Sequence, residues 1–183
     1  QCTAKARGRR RLWAFDRRLA RVQAVKQGVS KSETAKAPGA RLLMVVAPYY
    51  GGIADQLRRG AEAAAAEGEA TLDRILVPGA FEIPAAIAHA ARRIPAYEGF
   101  VALGCVVRGE TSHYDYVCGE SARGLMDLSI REGLAIGYGI LTVNTIAQAE
   151  ERADPARGDK GGEATRAALA MIALKRRFAD TAQ

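Results

Sequence analysis

Residue types that usually announce a mechanism are scarce in this 183-residue chain: three cysteines, two histidines, one tryptophan and six prolines. Cys2, Cys105 and Cys118 are odd in number, form no Cys-x-x-Cys pair, and include one residue set inside an apolar run. They argue against a disulfide framework and for reduced, cytosol-like conditions. His89 falls in mid-helix, far along the chain from His113, Asp115 and Cys118. No ligand cluster forms, and no metal is expected. No stretch approaches the roughly 20 apolar residues of a membrane-spanning helix, and there is no internal repeat.

Hydrophobic residues make up 49% of the chain, enough for one core with an extra segment. The formal net charge of +7 is unevenly placed. Residues 1–40 hold 11 Lys and Arg against 2 Asp and Glu, which leaves 16 against 18 in the remainder. The basic character thus belongs to a leader, and nucleic-acid binding by the whole chain loses its main support. Residues 1–40, with Arg7-Gly8-Arg9-Arg10-Arg11 and a Ser/Lys stretch, read as a disordered extension ahead of a domain at 41–183. An organelle transit peptide or an RNA-binding arm is the less favoured reading of the same residues.

From Arg41 the pattern is regular. Strands are predicted at Leu42–Ala47, Leu72–Val77, Phe100–Val107 and Ile136–Val143. Helices are predicted at Ile53–Glu67 with Gly68 as C-cap, Pro84–Arg93, Tyr116–Glu132, Ala147–Arg152 and Glu163–Phe178, with a charged loop from Asp154 to Gly162. Strands alternating with helices imply an α/β fold with a mostly parallel four-stranded sheet covered on both faces.

In such a sheet the loops after successive strands emerge on one edge, where α/β proteins bind ligands. Three loops carry the chemistry: Pro48-Tyr49-Tyr50-Gly51-Gly52, Pro78 to Ile83, and Arg108 to His113. Tyr49 either stacks on a planar heterocycle or is an ordinary surface tyrosine. Glu82 either accepts hydrogen bonds from a polyol or simply suits a helix dipole. Thr111 and Ser112 either help hold a phosphate at a helix start or cap it. His113, placed on a loop, points to proton transfer rather than to a structural histidine. Arg152, Arg157 and Lys160 near the charged loop are either solvated or a fork for phosphate.

The segments Pro78-Gly79-Ala80-Phe81-Glu82-Ile83-Pro84, Arg108-Gly109-Glu110-Thr111-Ser112-His113-Tyr114-Asp115 and Gly158-Asp159-Lys160-Gly161 resemble 6,7-dimethyl-8-ribityllumazine synthase. The resemblance runs from about Arg41 to Phe178 with the motifs in the same order and spacing. It implies a flavodoxin-like three-layer αβα sandwich. It also implies condensation of 5-amino-6-(D-ribitylamino)uracil with 3,4-dihydroxy-2-butanone 4-phosphate, the penultimate step of riboflavin biosynthesis, with neither cofactor nor metal.

Position by position, the resemblance makes Tyr49 the residue stacked on the pyrimidinedione, where the family usually has Phe or Trp. Ala80, Phe81 and Glu82 hold the ribityl chain and ring edge. Cys105, Val106 and Val107 meet the pyrimidine, and Tyr138 matches an aromatic position contributed by the neighbouring subunit. Glu110 and Thr111 contact the butanone phosphate, His113 transfers protons, Arg152 binds phosphate, Lys160 supports the phosphate region, and Glu151 tunes local charge.

The implied assembly is a homopentamer. The compact Asp154–Gly162 loop also permits an icosahedral shell of pentamers. Riboflavin synthase is an implied partner and the cytoplasm the implied location. The presence of both His113 and Arg152 argues against a related flavin- or lumazine-binding protein without activity. A shell that packages cargo through the leader's arginines is compatible with catalysis. A pentameric archaeal-type riboflavin synthase, a fold relative that dismutates lumazine, is the nearer enzyme alternative, and product analysis separates the two.

Overall fold

A strand flanked on both sides by other strands and covered on both faces must be apolar at nearly every position. Arg41–Val46 (β1) and Gly99–Val107 (β3) are such strands: Leu42 to Val46 and Phe100 to Leu103 are all buried. They are the central pair of a four-stranded sheet ordered β2-β1-β3-β4, with Thr71–Leu76 (β2) and Ala135–Val143 (β4) at the edges. The computed structural model describes residues 35–93 and 96–180. Every strand pairing in it is parallel, where the sequence pattern had required only a mostly parallel sheet. This strand order is that of the flavodoxin-like sandwich.

Alternate side chains of β1 and β3 feed two separate cores. Leu42, Met44, Val46, Val101 and Leu103 pack with Gly51–Glu67 (α1), Ile146–Ala153 (α4) and Lys160–Asp180 (α5). Leu43, Val45, Phe100 and Ala102 pack with Ile83–Ala90 (α2) and His113–Arg131 (α3). The three layers are therefore α1/α4/α5, the sheet, and α2/α3. Register holds the carboxyl ends together, with Val46 opposite both Leu76 and Leu103. The loops that follow are tied to the neighbouring strand by main-chain bonds, Ala47 N–H to Leu103 O at 2.9 Å and Val77 N–H to Val46 O at 2.9 Å.

Two helices start earlier than the sequence suggests. α3 begins at His113 rather than near Tyr116, so His113 is the first helical residue and not part of the loop. α5 begins at Lys160 rather than Glu163, so the expected Asp154–Gly162 loop ends at Asp159. The cause at α5 is close packing. A Cβ on Gly161 would lie 1.9 Å from the Leu57 carbonyl oxygen of α1, and one on Gly137 would lie 1.9 Å from Ala164 O. Gly161, which reads as a loop residue, and Gly137 of β4 are the contact points at which α5 lies against α1 and β4. Gly68 does follow the C-terminus of α1, but at φ −81°, with the left-handed turn taken by Glu69 at φ 59°. Glycine serves at 68 for space, since a Cβ would meet Leu169 at 2.5 Å.

Ahead of β1, Ala37 and Ala40 are buried, and the Ala37 and Gly39 N–H groups donate to Gly68 O and Glu69 O at 3.0 Å each. Residues 37–40 thus pack on the turn between α1 and β2. Residues 1–34 lie outside the described residues, and with them the expected disorder of the leader. No helix among the described residues is long and apolar enough to cross a membrane.

Gly161→Ala is expected to cost about 2–3 kcal/mol, because the added methyl overlaps main chain that cannot yield. Chemical denaturation with the midpoint followed by circular dichroism measures it.

Candidate active site at the carboxyl edge of the sheet

From β1 the chain passes to β2 on one side, then returns to β3 on the other. Between β1 and β3 the direction of winding reverses, and the loops diverge to leave a crevice. A cavity of about 600 Å³ occupies that place.

Its floor comes from strand ends: Ala47 after β1, and Cys105, Val106 and Val107 of β3. Its walls are the first and second loops and the start of α3. Tyr49 stands 77% exposed, its ring edge-on to Tyr50 at 5.0 Å between centroids and 71° between planes. One tyrosine is thus held upright by the other, leaving a face open to a planar ligand. Burial, then the neighbouring Tyr49, raises the Tyr50 phenol above its ordinary pKa.

The second wall is a 3-10 turn, Ala80–Glu82, whose Glu82 N–H donates to Gly79 O at 3.3 Å. Ala80 and Ile83 are anchored in the α2/α3 core, so the residues between them, Phe81 and Glu82, project outward. Glu82 accepts no hydrogen bond from any described residue, leaving a carboxylate at the cavity wall open to hydroxyl donors. His113 enters from the third side, its N–H bonded to Thr111 Oγ1 at 3.4 Å.

Of the residues expected at the site, Tyr49, Ala80, Phe81, Glu82, Cys105, Val106, Val107 and His113 line this one cavity. Five do not. Glu110 and Thr111 are exposed in the β3–α3 loop beside it. Tyr138 is in mid-strand on β4, paired with Ala102 and set beside Ser121 of α3. Arg152 is in the last turn of α4, on the other layer, with Nη1 donating to Gln148 O at 3.0 Å. Lys160, the first residue of α5, pairs with Glu163. Glu151 pairs with Arg157, which also binds Asp154 at 2.8 Å. The Asp154 carboxyl is held below its ordinary pKa, first by the Ala156 N–H and then by Arg157.

The cavity also has a residue that sequence reasoning missed. Tyr116 lines it beside His113. With α3 starting at His113, the two stand one turn apart on the same helix face. The signal was the spacing of three, hidden by the later helix start. Among the described residues no group of three or more His, Cys, Asp or Glu side chains is placed to hold a metal ion.

An aromatic wall, an unpaired carboxylate and an imidazole over an apolar floor make this cavity a candidate small-molecule site in a doubly wound α/β fold. The description of 6,7-dimethyl-8-ribityllumazine synthase as a family matches residues 39–176. Proteins named 6,7-dimethyl-8-ribityllumazine synthase are similar over the same domain. That of Bartonella tribocorum is 54% identical over 139 residues, covering 76% of this chain and 92% of the relative. That of Azorhizobium caulinodans is 51% identical over 156 residues, covering 83% and 95%. That of Methylobacterium sp. (strain 4-46) is 57% identical over 141 residues, covering 75% and 78%. The chain belongs to the 6,7-dimethyl-8-ribityllumazine synthase family, transferases of riboflavin biosynthesis.

Burial, with a lesser contribution from Cys118, pushes the Cys105 thiol up to about 11 from 9.0. Between those values the folded state keeps a proton that the unfolded chain has released, so stability falls as pH rises through that window. Replacing Cys105 by Ala is expected to flatten this alkaline decline, read as thermal midpoints at a series of pH values from 8 upward.

Proposed function

We propose that this chain condenses 5-amino-6-(D-ribitylamino)uracil with 3,4-dihydroxy-2-butanone 4-phosphate to give 6,7-dimethyl-8-ribityllumazine, phosphate and water. The observation that carries the reading is the convergence, in one cavity, of Tyr49 from the β1–α1 loop, Ala80–Glu82 from the turn before α2, Cys105–Val107 from the end of β3 and His113 from the start of α3. The ring would lie on Tyr49 above the apolar strand ends. The ribityl hydroxyls would donate to the unpaired Glu82 carboxylate.

The chemistry asks for little beyond placement and proton transfer. The uracil's amine attacks the ketone carbonyl, and loss of water leaves an imine. Elimination then expels phosphate, and the second amine closes the ring with loss of another water. Each step moves a proton near neutral pH, the work of the His113 imidazole. Phosphate leaves with growing negative charge, which a guanidinium and the amides around Thr111 stabilise. Holding two substrates together supplies much of the rate.

Arg152, Lys160 and Tyr138 stand outside this cavity, and Arg152 is carried by the opposite layer. In this reading they serve the cavity of a neighbouring copy, so the protein acts as a homo-oligomer of the pentameric kind. The free Cys105 and Cys118 accord with a reducing cytoplasm.

The test follows fluorescent lumazine from the two substrates. His113→Ala is expected to slow turnover about 10²-fold without abolishing it, and Arg152→Ala to raise KM for the butanone phosphate while lowering kcat further. Full activity in both variants contradicts the roles. Oligomers refolded from a mixture of His113→Ala and Arg152→Ala chains are expected to regain activity, since some sites then combine an intact His113 with an intact Arg152. No regain above the separate variants contradicts sharing between copies.

A further inference from the structure

The β3–α3 loop is fastened by a side chain that the mechanism above does not use. Arg108, the first residue after β3, donates from Nη2 to Asp115 Oδ1 in the first turn of α3 at 3.0 Å. Its guanidinium carbon lies 4.0 Å from the centroid of the Tyr114 ring, and a cation over an aromatic face is attracted to it. The Arg108 N–H donates to Val143 O of β4 at 2.8 Å. The Tyr114 hydroxyl in turn meets Thr142 of β4 and Cys118 of α3.

Between these fastenings lie Gly109, Glu110, Thr111, Ser112 and His113; Ser112 O accepts from the Asp115 and Tyr116 N–H groups at 3.0 and 3.4 Å, and the remaining bonding is thin. Ser112 stands at the N-cap of α3 with no side-chain cap bond. The contact from His113 N–H to Thr111 Oγ1, at 3.4 Å, is long. Nothing lies within 4 Å of a Cβ built on Gly109. A loop so weakly bonded inside takes its shape from its two ends, and Arg108 is the side chain that ties one end to the other.

We propose that Arg108 is a positioning residue, whose grip on Asp115 and Tyr114 fixes the Gly109–Ser112 loop and the start of α3 so that the loop amides and the His113 imidazole face the phosphate-bearing substrate. This rests on the function proposed above. The pair is exposed, with side-chain accessibilities of 45% and 60%, and exposed pairs add little to global stability. Its effect is local order, and loss of order at a reacting centre is costly in rate and affinity.

The test compares Arg108→Ala, Asp115→Asn and the double variant with the unaltered protein. It reads kcat, KM for each substrate, the thermal midpoint, and the affinity for inorganic phosphate from the His113 imidazole resonance. That resonance is simple to assign because the chain has only two histidines. Each single variant is expected to weaken inorganic phosphate and raise KM for the butanone phosphate about tenfold. KM for the uracil and the midpoint stay near the unaltered values, and the double variant is no worse than either single one.

If Asp115→Asn has no effect while Arg108→Ala weakens phosphate, Arg108 touches the anion itself and the clamp is wrong. Unchanged constants in all variants, or both KM values rising together with a fallen midpoint, also overturn it. Should the unaltered protein make no lumazine, the function proposed above fails, and the phosphate response of His113 still decides whether the clamp exists.

Discussion

The structure depends on the parallel pairing of β1 with β3. That pairing is buried on both faces and sets Val46 beside Leu103, so the chain leaves both strands at one edge. Because β2 lies on one side of this pair and β4 on the other, the helices that follow must go to different faces. The crevice between them is a consequence of strand order, and it would exist with many different sequences on its rim. What makes it a site is the choice of rim residues. Tyr49 is braced by Tyr50, Phe81 and Glu82 are thrust outward between the buried Ala80 and Ile83, and His113 opens α3. Tyr49, Phe81 and Glu82 are each adjacent to a residue packed in or against the core, so packing and chemistry are joined there within a residue or two of each other.

The two layers divide the labour. The α2/α3 side carries the cavity wall, the imidazole and the loop held by Arg108. The α1/α4/α5 side carries Arg152 and Lys160 on a corner bound by its own ion pairs, Arg157 to Glu151 and Asp154, and by the contact of Gly158 with the Arg152 main chain. The Gly-Asp-Lys-Gly motif is thereby explained without a ligand. Asp159 accepts from the Gly162 N–H and pairs with Arg166 at 2.9 Å, and Gly161 allows α5 to lie on α1. Its constraint is packing, and its effect is to fix where Arg152 and Lys160 are presented.

Much of this was legible in the residues. Unbroken apolar runs at Leu42–Val46 and Phe100–Val107 could only be doubly covered strands, and Ala-rich periodicity marked α1. The helix starts were harder. His113-Tyr114-Asp115 has no apolar period, and it is helical because Tyr114 packs under Arg108 and against β4. Gly161 and Gly162 have low helix propensity, and tertiary contact overrides it. At the site, residues following strand ends could be grouped in advance, since topology alone brings them together. The placing of Tyr138, Arg152 and Lys160 could not, because a residue's position along a helix or edge strand does not say which layer or which cavity it serves.

The central claim is that the switch point between β1 and β3 receives the ribityl-bearing pyrimidine. A crystal structure with the ribitylaminouracil alone tests it most directly. The account predicts the ring against Tyr49 and the ribityl chain along Ala80–Glu82, with a hydroxyl on the Glu82 carboxylate. It is contradicted if that cavity stays empty and the ligand sits instead in the smaller cleft of about 330 Å³ beside Gly51, Gln56 and Glu150.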